Sequence, residues 1–324
     1  MSGRARWSLA CAAGVAGATL GTLAVFSNAS ARAPLLDRES AAGPVASLLV
    51  YERGTGDARD LFVIPDGGGT PRRLTTDAGT DGLPRWSADG RSILFTSNRT
   101  GHWQLFRVPA EGGNPTRVRA NDHREWQADE SPDGRTLAFL SNAEGPEWLW
   151  LLDLEERQAR PLVRHGRRTI MGNPHWSRDG KRIVFSSNWK QGHQIYVVDV
   201  ASEEEKRISA VGGCEPRFHP DATKIVYVGR RPQKDRSEIL EHDLATGEER
   251  ILVAWPALNY DPVYSPDGSE IAFASTITGS WEIYRQRLSD GRAFRLTFAG
   301  EDARYPDYRP PSAKGGTRRA GFRP

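Results

Sequence analysis

One motif recurs through most of this 324-residue chain at a nearly constant spacing, and it constrains the fold more than any other feature. Its outline is Pro-x-aromatic-Ser-x-Asp-Gly, and its copies are residues 83–90, 128–134, 173–180, 215–222, 261–268 and a shortened 305–310. The aromatic column holds Trp86, Glu130, Trp176, Phe218, Tyr264 and Tyr308, at intervals of 42 to 46 residues. A fixed period of this length is typical of repeat proteins whose neighbouring units bury a shared core.

Each copy contains short apolar runs separated by polar turns. In the first copy the runs are 93–95, 104–108 and 116–118, and a turn at 97–101 separates the first two. Strands of this length bounded by Gly, Asn and Asp predict β-structure, and no window outside residues 7–26 has a helical period. Four antiparallel strands per repeat predict an all-β fold, a six-bladed β-propeller of four-stranded blades.

The order of the runs predicts how the ring closes. Residues 48–75 supply three strands of one blade, but Ala41 stands where the aromatic residue of its first strand is expected. The missing first strand is found at the other end of the chain, in residues 304–309. We therefore expect the C-terminal strand to complete blade 1, a closure that removes sheet edges on which other chains could pair.

The N-terminal segment is typical of an export signal. Arg4 and Arg6 precede an apolar run at 7–26, and small residues at 29–31 suit a cleavage site. The run is also long enough to span a bilayer, so an uncleaved anchor in the inner membrane stays open. We expect a periplasmic or secreted protein, divided into a signal or anchor (1–31), a short linker (32–47), the propeller (48–310) and a disordered basic tail (311–324).

Charge and cysteine content exclude several classes of protein. Lys and Arg number 44 against 41 Asp and Glu, a net charge of +3, and seven positive residues lie in 1–31 and 309–324. The body between them is therefore mildly acidic, which does not support binding to nucleic acid. The chain has two cysteines, and removal of 1–31 would leave Cys214 alone, so no internal disulfide is expected.

The repeat, with its Ile-x-Phe, Gly-x-x-x-Ile-Tyr and Arg-Leu-Thr segments, resembles the WD-like propeller repeat of TolB-type proteins over about residues 45–310. The resemblance implies a periplasmic propeller that binds a partner protein at the mouth of its central channel. TolB itself has an α/β domain before the propeller, whereas here residues 32–47 stand in that place, so we expect a stand-alone propeller. Propellers of prolyl oligopeptidase-type hydrolases look similar, but the chain contains no Gly-x-Ser-x-Gly motif.

The longest and least similar connections are those that lead from one repeat to the next, and loops of this kind commonly carry binding sites. Within them Trp126, Trp255 and Tyr260 are candidate aromatic anchors for a partner. Glu130 replaces the aromatic residue of the third repeat, which indicates either a functional residue or a local shift of register.

Acidic residues are expected to gather near the same mouth of the channel: Asp81, Asp129, Glu215, Asp261 and Asp302. They would attract a basic partner or a cation, or they would accept hydrogen bonds from amides of the neighbouring blade. Arg85 and Arg217 occupy one column of the repeat and are expected to form salt bridges with these carboxylates, or else to meet an anionic ligand.

The main expectation is a monomeric, non-catalytic scaffold without cofactor or metal, whose binding residues at the channel mouth include His175. The alternative is a polysaccharide lyase or hydrolase that resembles oligogalacturonate lyase, with a metal held by His123 and His175 in the channel. The seven histidines show no His-x-His or His-x-x-x-His pairing.

Overall fold

A computed structural model describes residues 36–37, 47–76, 79–190, 192–209, 212–229, 235–298 and 300–311 of the protein. The predicted signal (1–31) and residues 312–324 of the predicted tail lie outside these ranges. Every regular element in the described residues is a β-strand, and the strands form six sheets. The predicted all-β architecture is therefore confirmed.

Each sheet is one blade with four antiparallel strands, named here first to fourth from the channel outward. Blade 1 consists of Ala303–Tyr308, Leu48–Thr55, Ala58–Pro65 and Arg72–Arg73; blade 2 of Asp81–Trp86, Ser92–Ser97, Gln104–Pro109 and Thr116–Arg117; blade 3 of Glu125–Glu130, Thr136–Ser141, Trp148–Asp153 and Ala159–Val163. Blade 4 consists of Met171–Trp176, Arg182–Ser187, Gln194–Asp199 and Glu205–Arg207; blade 5 of Gly213–Phe218, Lys224–Gly229, Glu238–Asp243 and Glu249–Val253; blade 6 of Asn259–Tyr264, Glu270–Ser275, Glu282–Arg287 and Ala293–Arg295.

The ring closes as the order of the runs predicts. Ala303–Tyr308 pairs antiparallel with Leu48–Thr55, so the C-terminal strand is the first strand of blade 1. First strands of successive blades contact one another all the way round, which places them at the central channel. In addition, Leu36–Asp37, within the predicted linker, pairs in parallel with Ala293–Phe294 at the outer edge of blade 6.

Most of the core lies between blades, because each sheet buries both of its faces against its neighbours. Leu61 and Val63 of blade 1, for example, share one cluster with Trp86 and Phe95 of blade 2. The Trp86 indole Nε1 donates to the Asp307 carbonyl of blade 1 at 3.1 Å, so this aromatic residue also fastens the closing strand.

All six first strands contain a bulge in the same place, and the third residue of each has a positive φ between 52° and 56°. Such a backbone is unfavourable for a residue with a side chain, so the surrounding structure must stabilise it. Hydrogen bonds between blades do so: the third-position side chains of Gln127 and Glu215 accept the amides of Asn173 and Asp261 at 2.8 Å and 2.7 Å. At these two positions the bulge joins blade 3 to blade 4 and blade 5 to blade 6.

Glu130 has a structural role between two blades, and the shift of register that the sequence left open at this position is wrong. It lies opposite Leu137 just as Trp176 lies opposite Ile183, so the register is not shifted. Its carboxylate accepts the Ala88 amide at 2.7 Å and pairs with Arg107 at 2.9 Å. Glu130 therefore joins blades 2 and 3 by charge-assisted hydrogen bonds where other blades pack an aromatic ring.

Candidate functional site

The two ends of the channel differ in their loops. At one end, called the loop face, the first strands begin, and the connections between blades and the turns from second to third strands meet there. At the other end, called the turn face, the first strands finish and the Asp-Gly turns lie. The predicted binding loops are all on the loop face.

A buried arginine at the start of the closing strand organises the loop face. The Arg304 guanidinium binds the Asp261 carboxylate through two hydrogen bonds of 2.8 Å and 3.0 Å, and lies 3.7 Å from Glu215. Burial lowers the pKa of Arg304, but the nearby Asp261 and Glu215 carboxylates outweigh burial and raise it well above its usual value. Arg304 is therefore a fixed cation.

Three half-buried aromatic rings surround this cation. The Arg304 guanidinium carbon lies 4.4 Å from the ring centre of Trp281, 4.8 Å from that of Tyr305 and 5.4 Å from that of Tyr260. Tyr260 and Trp281 also meet edge to face, with their ring centres 5.7 Å apart. We call Tyr260, Trp281, Arg304 and Tyr305 the arginine–aromatic patch. Its rings combine apolar surface with a fixed charge, a combination common at protein interfaces.

A narrow cavity of about 70 Å³ extends from this patch into the channel mouth. Its lining residues are Glu52, Arg59, Thr80, Gly82, Leu83, Thr96, Trp103, Trp126, Arg304 and Tyr305. Arg59 pairs with Glu52 at 2.9 Å, and the same carboxylate accepts the Leu83 amide at 2.9 Å. The charged groups of Glu52 and Arg59 in the cavity wall are therefore already paired within the protein.

Deeper in the channel, the fifth residues of the first strands form a second ring: Arg85, Asp129, His175, Arg217, Val263 and Asp307. Burial raises the pKa of Asp129 to about 7 and that of Asp307 to about 6, although Arg85 and a backbone amide oppose each rise. Those amides belong to Trp176 and Trp86 of the next blades, at 2.7 Å and 2.8 Å. These carboxylates therefore hold neighbouring blades together.

His175 belongs to the same ring. Its Nδ1 accepts the Phe218 amide of blade 5 at 3.2 Å, and burial lowers its pKa to about 4. The imidazole is therefore neutral near pH 7 and serves as a hydrogen-bond acceptor between blades. Across the described residues, no group of three or more His, Cys, Asp or Glu side chains is arranged to hold a metal ion, and His123 lies exposed at the surface.

The carboxylates predicted from the sequence are only partly brought together. Glu215 and Asp261 lie beside Arg304, and their oxygens also accept the Asp261 and Tyr305 amides at 2.7 Å and 3.2 Å. Asp81 is buried against Arg99 at 2.8 Å, while half-buried Asp302 accepts the Trp281 amide at 3.4 Å. Most of these predicted carboxylates are therefore already engaged in hydrogen bonds or ion pairs within the protein.

Two of the three predicted aromatic anchors are buried in the protein interior. Trp126 is 1% exposed and Trp255 is 7% exposed, and the latter packs against Phe273 and Tyr284. Trp126 borders the narrow cavity with almost none of its surface exposed, Trp255 is buried in the core, and Tyr260 is the predicted anchor that stays half-exposed. The Trp255 ring, which follows the last strand of blade 5, packs on the second and third strands of blade 6, a contact between blades that the sequence pattern does not reveal.

Trp103, Trp281 and Tyr305 were missed among the candidates. The sequence contains a signal for two of them, because Trp103 and Trp281 each stand directly before the third strand of a blade and so belong to turns of the loop face. Tyr305 stands at the bulge position, where a positive φ of 53° turns its side chain toward the cavity.

Comparison with known proteins identifies the family. The family described as the TolB beta propeller domain matches residues 40–164, 127–255 and 163–314. This protein belongs to the TolB beta-propeller family. The predicted resemblance is therefore confirmed.

Individual relatives are similar over part of their length. A Tol-Pal system protein TolB of Nitratidesulfovibrio vulgaris is 30% identical over 135 residues, which cover 40% of this chain and 29% of that protein. An uncharacterized protein of Agrobacterium fabrum is 30% identical over 171 residues, 52% of this chain and 56% of the other. The chain thus spans less than two thirds of these relatives.

A solved structure of TolB from Acinetobacter baumannii superposes with a TM-score of 0.74 at 20% identity and covers 83% of this chain and 68% of the other. This likeness supports the TolB propeller fold. Over the ranges that the structure describes, we find no helix long and apolar enough to cross a membrane.

Proposed function

We propose that this TolB-family protein is an exported, non-catalytic scaffold that binds a partner protein at the loop-face mouth of its channel. The observation that carries the proposal is the arginine–aromatic patch. Tyr, Trp and Arg are the residue types that most often supply binding energy at protein interfaces. Here three half-buried rings surround a buried guanidinium, on two first strands and in the turn before a third strand, all held in place by a rigid ring of blades.

The patch is organised before any partner arrives. Asp261 fixes the Arg304 guanidinium in a bidentate pair, and the Trp281 and Tyr260 rings rest on it. A partner would therefore meet rings that lose little side-chain entropy on binding, which favours affinity. Because the nearby carboxylates are engaged within the protein, we infer that aromatic contact contributes more to recognition than an acidic surface does.

The family relationship supports the location of this function. The similar protein of Nitratidesulfovibrio vulgaris is a component of the Tol-Pal system, and the export signal predicted at 1–31 directs this chain out of the cytoplasm. We propose that the protein works in the periplasm or is secreted, and that it binds its partner as a monomer.

Affinity capture tests the proposal. The full chain with a C-terminal tag is mixed with envelope extract, and retained proteins are identified by mass spectrometry. Trp281→Ala removes the ring nearest to Arg304, and Trp189→Ala is the matched control, because Trp189 is 42% exposed on the loop face but belongs to blade 4. We expect a protein that the native chain and Trp189→Ala retain and Trp281→Ala loses.

Circular dichroism and a thermal melt of each variant establish that the ring is intact, so that a loss of binding reports on the surface. Equal retention by Trp281→Ala and the native chain would refute the assignment of the patch. No selective retention by any of the three chains would refute the scaffold function.

A further inference from the structure

The turn face has a gap at the closing blade. Five blades join their first and second strands through a tight turn that contains an Asp at 89, 133, 179, 221 or 267. Blade 1 has no such turn, because its first strand ends at Tyr308 and its second begins at Leu48. A cavity of about 920 Å³ lies there instead, lined on one side by residues 47–48 and on the other by residues 308–311.

Acidic side chains predominate in the wall of this seam cavity. Four carboxylates and two guanidinium groups line it: Asp66, Asp89, Asp267, Glu270, Arg285 and Arg309. Both cations are engaged, since Arg285 pairs with Glu270 at 3.0 Å and Arg309 donates to the Gly90 carbonyl at 2.9 Å. The wall therefore has negative charge that its own cations do not neutralise.

Asp66 and Tyr308 are the uncommitted groups of this wall. In the described part of the chain, the half-buried Asp66 carboxylate takes part in no hydrogen bond or ion pair. Tyr308 is 7% exposed, and its buried hydroxyl has no hydrogen-bond partner among the described residues. Tyr308 lines the cavity, and the charges that act on its hydroxyl are those of Glu270, Arg285, Asp66 and Asp267, which belong to the same wall.

A buried hydroxyl without a partner loses the hydrogen bonds it would make in water, and a ligand that supplies them restores this energy. Burial and the nearby carboxylates raise the pKa of Tyr308, so the phenol stays protonated and its oxygen accepts an N–H. Guanidinium and ammonium groups are the common biological donors that are also cations.

We propose that the seam cavity is a binding site for a cationic side chain, an arginine or lysine carried on a peptide, with Asp66 as its counter-ion and the Tyr308 hydroxyl as a further acceptor. This site lies on the opposite face from the arginine–aromatic patch and does not depend on the function proposed for that patch. Two sources offer this chemistry: a separate basic peptide, or the chain's own Lys314, Arg318, Arg319 and Arg323.

Calorimetric titration of the full chain with a capped Gly-Arg-Gly-Arg-Gly peptide at low salt tests the site. The same peptide with citrulline in place of arginine is the control for charge. We expect Asp66→Asn to weaken binding about tenfold and Tyr308→Phe about threefold. Glu111→Gln, an equal change of charge at an exposed turn-face position outside the cavity, should leave binding unchanged.

A second arm distinguishes the sources. In a full chain with Lys314, Arg318, Arg319 and Arg323 all changed to Gln, the peptide should bind as it does to the native chain if the natural ligand is a separate peptide. If only the neutralised chain binds it, and Asp66→Asn abolishes that binding, the chain's own cations occupy the cavity. No arginine-dependent binding to either chain, or binding that Asp66→Asn and Tyr308→Phe leave unchanged, would overturn the proposal.

Discussion

Replacing Asp129 with asparagine is expected to stabilise the protein above pH 7 and to remove a pH dependence that the native carboxyl imposes. Asp129 is 8% exposed, and its Oδ2 accepts the Trp176 amide at 2.7 Å. Burial raises its pKa to about 7, from 3.8 for the same group in an unfolded chain. The folded protein therefore binds this proton more tightly than the unfolded chain does.

The sign of the effect follows from that difference. The stability that Asp129 contributes is fully present below the unfolded pKa and is lost as the pH rises through the folded pKa. Between pH 5 and pH 8 the loss amounts to roughly 3 kcal/mol, because one pKa unit corresponds to about 1.4 kcal/mol. Asparagine keeps an oxygen for the Trp176 amide and carries no charge, so Asp129→Asn should escape this loss.

The assay is urea unfolding followed by tryptophan fluorescence at several pH values from about 5 to about 8. The quantity compared is the free energy of unfolding of Asp129→Asn minus that of the native chain, and the titration of His175 is common to both. Asp133→Asn is the control, because the Ser131 hydroxyl helps to lower the pKa of that exposed turn carboxyl below this range. A difference for Asp129→Asn that is the same at pH 5 and pH 8 would refute the argument.

Three further predictions concern the closure of the ring. Arg304→Met leaves the buried Asp261 carboxylate without its cation and should lower the urea midpoint by the equivalent of about 3–5 kcal/mol; a loss below about 1 kcal/mol would contradict the paired geometry. Deleting residues 303–324 removes the first strand of blade 1, and calorimetry should then show no cooperative unfolding; a cooperative, monomeric product speaks against the closure. Trp86→Phe loses the indole hydrogen bond to Asp307, at a cost of about 1 kcal/mol measured by thermal unfolding, and an unchanged melting temperature would show that this bond contributes nothing.

The repeat predicted the fold in detail because its information is local and redundant. Each copy carries its own turn residues and alternating runs. Where one copy is irregular, as at Glu130, the other copies still identify its strands. Even the closure was visible, because the strand missing before Leu48 reappears after residue 302.

The candidate site was predicted less well, because depth and pairing depend on how blades pack together. Trp126 and Trp255 lie in loops by sequence, yet both rings are buried in the structure. Asp261 was expected either to attract a basic partner or to accept an amide of the neighbouring blade; it accepts the Tyr305 amide and pairs with Arg304, a partner that the sequence did not indicate. The Arg304–Asp261 contact joins residues 43 positions apart. The spacing of the repeat indicates neither how deeply a side chain is buried nor which residue it pairs with.

Hydrogen–deuterium exchange of the full chain, alone and with the protein it captures, tests the central claim most directly. If the partner binds at the loop face, exchange should slow in peptides covering residues 276–281 and 300–306, which contain Trp281, Arg304 and Tyr305. The Asp-Gly turns at 87–91 and 177–181 should exchange as they do in the free chain. Protection confined to those turns, with no change at 276–281, would contradict the account.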